Sequence, residues 1–356
     1  MDEDITTNSG LTIGLDLGDK FTDGCVLSDA GVVIETFRVA TTMTAMARTM
    51  NGFETSRVVL EVGTHSPWIS RLVEKAGHEL IIANPRRVRL IAENDSKSDA
   101  VDAELLARLG RVDPTLLRPI VHRGEQAQHD RILLLARDGL VRARTQLINQ
   151  VRGFAKSLGH RMPSSSTEAF PRRVREKYAE DLFPGQSAML EMIGRLTEEI
   201  TRMDKEAERL CKETYPETRV LRQVKGVGAL TSLGFVLTLE DPSRFAKSRT
   251  VGAYLGLRPR SRQSGDHQPQ LRITKAGDAL LRRYLVSAAQ YILGPFGPDT
   301  ALRRFGMKLA ERGGKAAKKR AVIAVARKLA VLLHRMWVTG EAYQAIGYGE
   351  QTQEAA

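Results

Sequence analysis

Two carboxylates stand where carboxylates are costly. Asp16 interrupts the apolar run Thr12-Ile-Gly-Leu-Asp-Leu-Gly18, and Glu61 interrupts Val58-Val-Leu-Glu-Val62. An acid inside a buried strand needs a cation, a hydrogen bond or a proton to offset its desolvation. Further on, Lys97-Ser-Asp-Ala-Val-Asp-Ala-Glu-Leu-Leu-Ala107 reads as a helix in which Asp99 and Asp102, three apart, share one face. Hard divalent cations take oxygen ligands, and two such ions a few ångströms apart stabilise both the attacking and the leaving oxygen of a phosphoryl transfer. Asp16, Glu61, Asp99 and Asp102 are therefore expected to hold Mg2+, two ions, with Mn2+ as an alternative. Taken singly, Asp16 also suits a cap or turn, and Gly14-Leu-Asp-Leu-Gly18 also matches the first phosphate loop of actin-like ATPases and sugar kinases. No later Gly-rich adenosine loop with a second acidic phosphate motif accompanies it. Glu104 is out of phase with the acid pair and is expected in solvent.

A second group of reactive types lies far along the chain, in Tyr254-Leu-Gly-Leu-Arg-Pro-Arg-Ser-Arg-Gln-Ser-Gly-Asp-His267. Ser264, followed by Gly265, stands among Arg258, Arg260, Arg262, Arg272 and Lys275, so a small hydroxyl nucleophile is set beside cations that can orient a phosphodiester. No Ser-His-Asp triad is within sequence reach, and the proton of an attacking serine would have to go elsewhere, for which metal-bound carboxylates are suited. Ser261 is close by and is the alternative nucleophile. Val224-Lys-Gly-Val-Gly228, between two helical runs, has the helix-hairpin-helix pattern; there Lys225, Gly226 and Gly228 would approach a phosphate, unless the segment is a plain tight turn. Arg282 and the basic run with Lys318, Lys319 and Arg320 are further expected nucleic-acid contacts.

The elements that must position these groups follow from periodicity. Three β-rich runs, Thr12–Leu17, Thr22–Leu27 and Val32–Val39, read as a meander with a turn at Ser28-Asp-Ala-Gly31. A helix up to Met50, a strand over Arg57–Val62, a helix over Pro67–Ala76 and a strand over Glu79–Ala83 follow. That order describes an RNase H-like α/β sheet over residues 11–117, with the acidic helix carrying Leu105, Leu106 and Leu109 on its apolar side. Residues 118–217 read as a helical coiled-coil region: Leu133 to Leu158 recur at steps of three and four, and Met189 to Leu210 alternate four and three. An intramolecular hairpin and an inter-subunit coiled coil both fit. Arg137, Arg142, Arg144, Arg152 and Lys156 on the first of these helices suit either a solvated face or phosphate contact. Residues 218–340 read as a mainly α domain carrying the serine, with an apolar helix over Ala321–Trp337 after the basic run. The tail, 341–356, is expected to be disordered.

Composition agrees with a nucleic-acid partner. The 356 residues hold 54 Lys and Arg against 42 Asp and Glu, a net charge of +12. Cys25 and Cys211 lie far apart without a CxxC or a zinc-spaced His, so buried thiols are expected rather than a disulfide or a zinc site. The acidic, polar start does not read as a signal peptide, and no apolar run reaches spanning length, which excludes a membrane role and suits a reducing cytoplasm.

Together these stretches resemble the DEDD-type (RuvC-like) insertion-sequence transposases that act as bridge-RNA-guided serine recombinases. The resemblance extends from Ile13 to about Trp337 and rests on Gly14-Leu-Asp-Leu-Gly18, Leu60-Glu61, Lys97 to Ala103, Val224 to Gly228, and Gly256-Leu-Arg-Pro with Ser264-Gly265, Ile273-Thr-Lys-Ala-Gly277 and Leu281-Arg-Arg-Tyr-Leu285. It implies that Asp16, Glu61, Asp99 and Asp102 are the four catalytic acids and Ser264 the nucleophile. It further implies a phosphoserine intermediate, a structured bridge RNA pairing with donor and target DNA, a prokaryotic and nucleoid-associated setting, and a homodimer or homotetramer whose site joins acids and serine of different subunits. A metal-dependent junction-resolving nuclease using water is the second reading, and a catalytically idle nucleic-acid-binding or assembly protein the third.

Overall fold

The computed structural model describes residues 10–85, 99–178, 182–262 and 271–346. The chain divides into two compact units, Met1–Arg123 and Gly124–Ala356. Ser264 and the tail from 347 onward lie outside the described residues.

The first unit is built on a mixed five-stranded sheet of order β3-β2-β1-β4-β5. Its strands are β1 (Thr12–Leu17), β2 (Phe21–Leu27), β3 (Val33–Ala40), β4 (Arg57–Glu61) and β5 (Glu79–Ala83). β1, β2 and β3 pair antiparallel as the expected meander, while β4 runs parallel to both β1 and β5. The parallel steps need crossovers, supplied by α1 (Met43–Asn51) and α2 (Ser66–Lys75). One face of the sheet buries Ile13, Leu15, Val58 and Leu60 with Met46, Met50, Ile69 and Val73 of these helices.

The opposite face takes α3 (Asp99–Val112). Of the leucines expected on its apolar side, Leu106 is buried and Leu109 packs beside it, while Leu105 is only partly covered; Ala103, Ala107 and Gly110 are buried as well and make the closest approach to the strands. A Cβ at Gly14 of β1 would come within 2.0 Å of the Ala103 carbonyl and 2.6 Å of the Ala107 nitrogen. A Cβ added at Gly110 would lie 2.3 Å from Val59 Cγ2. Helix and strand backbones approach so closely that only small residues fit between them. Gly14→Ala is therefore expected to push α3 off the sheet and cost about 1–3 kcal/mol of stability, read as a lower melting temperature by circular dichroism.

The second unit is helical. α4 (Glu125–Ser157) and α6 (Pro184–Glu213) pack on each other within one chain, with α5 (Phe170–Tyr178) against their far ends. Ile148, Val151, Phe170, Val174, Leu190 and Ile193 form the core there. Two cations that could have met phosphate work inside this hairpin instead. Arg137 pairs with Asp204, and Arg144, only 7% exposed, donates to the Thr197 hydroxyl.

The remainder comprises α7 (Thr218–Leu221), α8 (Ala229–Leu239), α9 (Val251–Tyr254), α10 (Ala279–Leu293), α11 (Ala301–Ala310) and α12 (Gly314–Thr339). Phe235, Leu255, Leu285, Val325 and Leu329 are fully buried in its core. The basic run from Gly314 to Arg320 does not precede a separate apolar helix; it forms the first turns of α12. Lys and Arg are good helix formers, so charge there changes the face presented, not the fold. Both cysteines are buried and unpaired, and among the described residues no helix is long and apolar enough to cross a membrane.

Candidate active site

Register places the two strand acids together. β1 and β4 pair Gly14 with Val59 and Leu15 with Leu60, so the next step sets Asp16 beside Glu61. Side chains alternate along a strand, and Gly14 and Val59 both meet α3. Two residues further on, Asp16 and Glu61 face the same side. α3 begins there, with Asp99 and Asp102 in its first turn. Small residues at Gly14, Ala103 and Ala107 thus do more than fill space: they let the acidic turn descend onto the strand that carries Asp16.

The electrostatics show the convergence. Burial first, and then the charges of Asp99, Asp102, Glu61 and Asp23, push the Asp16 carboxyl up to about 6. Glu104 stays out of this group and pairs with Arg108, as its phase implied. Among the described residues no three His, Cys, Asp or Glu side chains close into a coordinating shell. The acids share one electrostatic neighbourhood, and their donor set is wholly carboxylate oxygen. That chemistry fits magnesium or manganese and not a thiolate or imidazole metal.

Asp23 is the acid that sequence reasoning missed. It sits directly across from Asp16 in the antiparallel β1–β2 pair, with only 16% of its side chain exposed, and Arg38 of β3 approaches it at 3.9 Å. Its signal was the same as that of Asp16, a carboxylate within a strand, but Thr22 and Gly24 on either side interrupt the apolar run.

The rim of the site is pinned by side chains. Trp68 Nε1 donates to His65 Nδ1, which leaves the proton on His65 Nε2, 3.5 Å from Asp19 in the β1–β2 turn. Ser66, at the start of α2, bonds the Gly63 backbone and lies 2.8 Å from His122 Nε2. Burial, then Arg123 and Arg71, lower the His122 pKa, so this imidazole is neutral at pH 7; because the Ser66 hydroxyl proton goes to the Gly63 carbonyl, His122 Nε2–H donates to Ser66 Oγ. The loops after β1 and β4, which follow Asp16 and Glu61, are in this way held at the edge of the sheet.

The Asp16 shift has a consequence for stability. Its carboxyl ionises near 3.8 in the unfolded chain and near 6 in the folded one, so the folded state holds the proton more tightly. The stability tied to that proton is present below the lower value and lost as pH rises through the upper one. Asp16→Asn is expected to raise the stability of the metal-free protein at pH 8 by about 1 kcal/mol, allowing for the solvent screening of a half-exposed carboxylate. The gain should shrink towards pH 5 in melts run with a chelator.

In the second unit, the segments on either side of the predicted nucleophile form a narrow hairpin. Arg260 N donates to Arg272 O, Thr274 N to Arg258 O and Lys275 N to Gly256 O. At its base Gly256 (φ +68°) and Gly277 (φ +67°) cross, where a Cβ would lie 2.2 Å from the Ala276 nitrogen and the Tyr254 carbonyl respectively. Lys275 itself is held at φ +54°, a left-handed strain that the crossing imposes. Gly277→Ala is expected to open this base and lower the melting temperature of the full chain by several degrees. Arg258, Arg260, Ser261, Arg262, Arg272 and Lys275 are exposed along the arms. Arg282 is engaged elsewhere: its guanidinium donates to the Leu255 and Ala276 carbonyls and clamps the base of the hairpin.

Val224 to Gly228 forms the turn between α7 and α8, with Gly226 at φ +96° packed against Tyr291 and the Ala288 carbonyl. Lys225 and Gly228 are exposed, as are Lys318, Lys319 and Arg320 on α12. Asp278 caps α10 by accepting from Leu281 N and pairs with Arg131 of α4.

Comparison with known proteins agrees with both regions. Residues 13–159 match the DEDD transposase domain model of IS110 type, described as a transposase. Residues 218–301 match the model of the transposase IS116/IS110/IS902 family. The chain is 27% identical over 341 residues to the transposase for insertion sequence element IS1111A of Coxiella burnetii, covering 93% of this chain and 91% of that one. It is 28% identical over 242 residues to the transposase for insertion sequence element IS1328 of Yersinia enterocolitica, covering 65% and 70%. It is also 24% identical over 331 residues to the pilin gene-inverting protein of Moraxella bovis, covering 89% and 92%.

Proposed function

We propose that this chain, an insertion-sequence transposase of the IS110/IS116 type with a DEDD domain, cuts and rejoins DNA through a serine ester with the help of magnesium. The observation that supports the metal half is the placement of Asp16 beside Glu61 on the sheet face where α3 brings Asp99 and Asp102. The strand order β3-β2-β1-β4-β5, three antiparallel strands followed by two parallel ones, supports an RNase H-like, RuvC-like reading of the first unit.

Asp16, Glu61, Asp99 and Asp102 would hold the ions, and magnesium bound there would stabilise the negative charge that develops on the phosphodiester oxygens. Ser264 Oγ attacks the scissile phosphorus and gives its proton to a carboxylate. The bond from phosphorus to the 3′ oxygen breaks, and that oxygen leaves as a 3′ hydroxyl once protonated. The serine ester keeps the bond energy, so a second 3′ hydroxyl can reverse the reaction on an exchanged strand without ATP. Arg258, Arg260, Arg262, Arg272 and Lys275 orient the phosphate, and Lys225, Lys318, Lys319 and Arg320 track the backbone. A bridge RNA supplies the sequence choice by pairing, and the protein acts as an oligomer.

The test is a recombination assay on supercoiled plasmids carrying the element's flanking DNA. Product is expected with Mg2+ or Mn2+ and with RNA transcribed from those flanks, and none with a chelator. Recombination in a chelator would sink the metal reading. Recombination with protein stripped of RNA would sink the guided one.

A further inference from the structure

A groove of about 1150 Å³ opens in the second unit between α11, α12 and the arms of the hairpin. Its volume lies above the range of roughly 300–1000 Å³ usual for small-molecule pockets. Leu257, Leu302 and Leu332 of the buried core form its floor, with Phe305, Ile323 and Tyr343 packed on them and only partly covered. Eight of its lining residues are Lys or Arg, and none is Asp or Glu. The cations stand around an apolar bed, and Lys328 Nζ lies 4.1 Å from the centre of the Phe305 ring.

An occupant must therefore be anionic at its edges and apolar across its face. Duplex DNA does not meet both demands, because its base faces are stacked inside and only the backbone and base edges are offered. An unpaired strand does: phosphates meet the cations, and bases lie on aromatic and aliphatic side chains. Position agrees with this. Pro259 and Ile273, which bridge the hairpin arms, both line the groove, and the residues between them in sequence include Ser264. Resting on the reading that this protein works on nucleic acid, we infer that the groove receives unpaired nucleotides of a displaced or single strand, their bases on Phe305 and Ile323 and their phosphates on the basic rim. Its role is to hold a strand open beside the hairpin arms at Pro259 and Ile273.

The test uses the full chain and a short oligodeoxythymidylate, beside a duplex of the same length. Phe305→Ala is expected to weaken single-strand binding about tenfold and leave duplex binding within about twofold. A mutation-independent readout is photocrosslinking of an oligonucleotide carrying 5-iododeoxyuridine to the unaltered protein, with the adduct expected on a peptide containing Phe305 or Tyr343. Crosslinks found only elsewhere, or equal losses on single strand and duplex, would overturn the inference. So would an acidic amphipathic peptide that binds the groove and is not displaced by the oligonucleotide, which would make it a protein-docking site. Magnesium-dependent duplex cleavage, measured on the same preparation after adding RNA transcribed from the element's flanks, separates the two levels. Cleavage without a groove crosslink sinks this inference alone, and a groove crosslink without cleavage sinks the reading of the acids.

Discussion

Ser264→Ala is expected to abolish the covalent protein–DNA adduct and to lower recombination by at least about 10⁴-fold, the scale on which loss of a nucleophile is felt. The adduct is read as a labelled strand that migrates with the protein in denaturing gels and is released by protease. Ser261→Ala should keep it, because the segment from Arg258 to Arg262 holds cations and one exposed hydroxyl without the following glycine. DNA cleavage that persists in Ser264→Ala with no adduct at any stage would replace the serine by water and make the protein a metal-dependent nuclease. An adduct that persists in Ser264→Ala and disappears in Ser261→Ala would exchange the two serines and leave the remainder of the proposal standing.

Asp16→Asn is the second large effect. It keeps the shape of the side chain and removes the charge at the centre of the acid group, where burial, Asp99, Asp102 and Glu61 all act on it. Cleavage in Mg2+ is expected to fall roughly a hundred- to thousandfold. The same variant should be more stable than the parent at pH 8 without metal. Lost activity with gained stability is the pattern of a functional charge kept against the interest of the fold. Loss of both would mean that Asp16 only supports the strand. Asp23→Asn is expected to have a smaller effect, since Arg38 already shares its charge.

The first unit was largely legible because its signals are local. β1 and β5 begin and end where alternation and flanking turn residues place them, and the strand acids were visible as conflicts with their surroundings. Asp23 was not, because its importance comes from register: only the pairing of β1 with β2 sets it against Asp16. The small-residue part of the buried face of α3 was hidden for a related reason. Leu106 is buried and Leu109 packs beside it as hydrophobicity predicts, but where α3 meets Gly14 the approach of the backbones admits only small residues, Ala103 and Ala107.

Cations misled in the second unit. Arg137, Arg144 and Arg282 have the same residue type as a phosphate ligand, yet each is engaged within the protein, and no sequence rule separates a clamp from a contact. The basic start of α12 was set apart from its helix because charge hides the apolar period there. The groove beside it could not be foreseen at all, being assembled from segments around 257, 272, 305, 323 and 343 that are distant in sequence.

The central claim is that the acids around Asp16 bind a divalent cation as a unit. Isothermal titration of Mn2+ into the full-length protein at pH 8 tests it directly, without DNA and without the serine step. Saturable binding is expected for the unaltered chain and a loss of at least about tenfold in affinity for Asp16→Asn and for Asp102→Asn. Equal Mn2+ binding in all three proteins, or none in the unaltered chain, would contradict it.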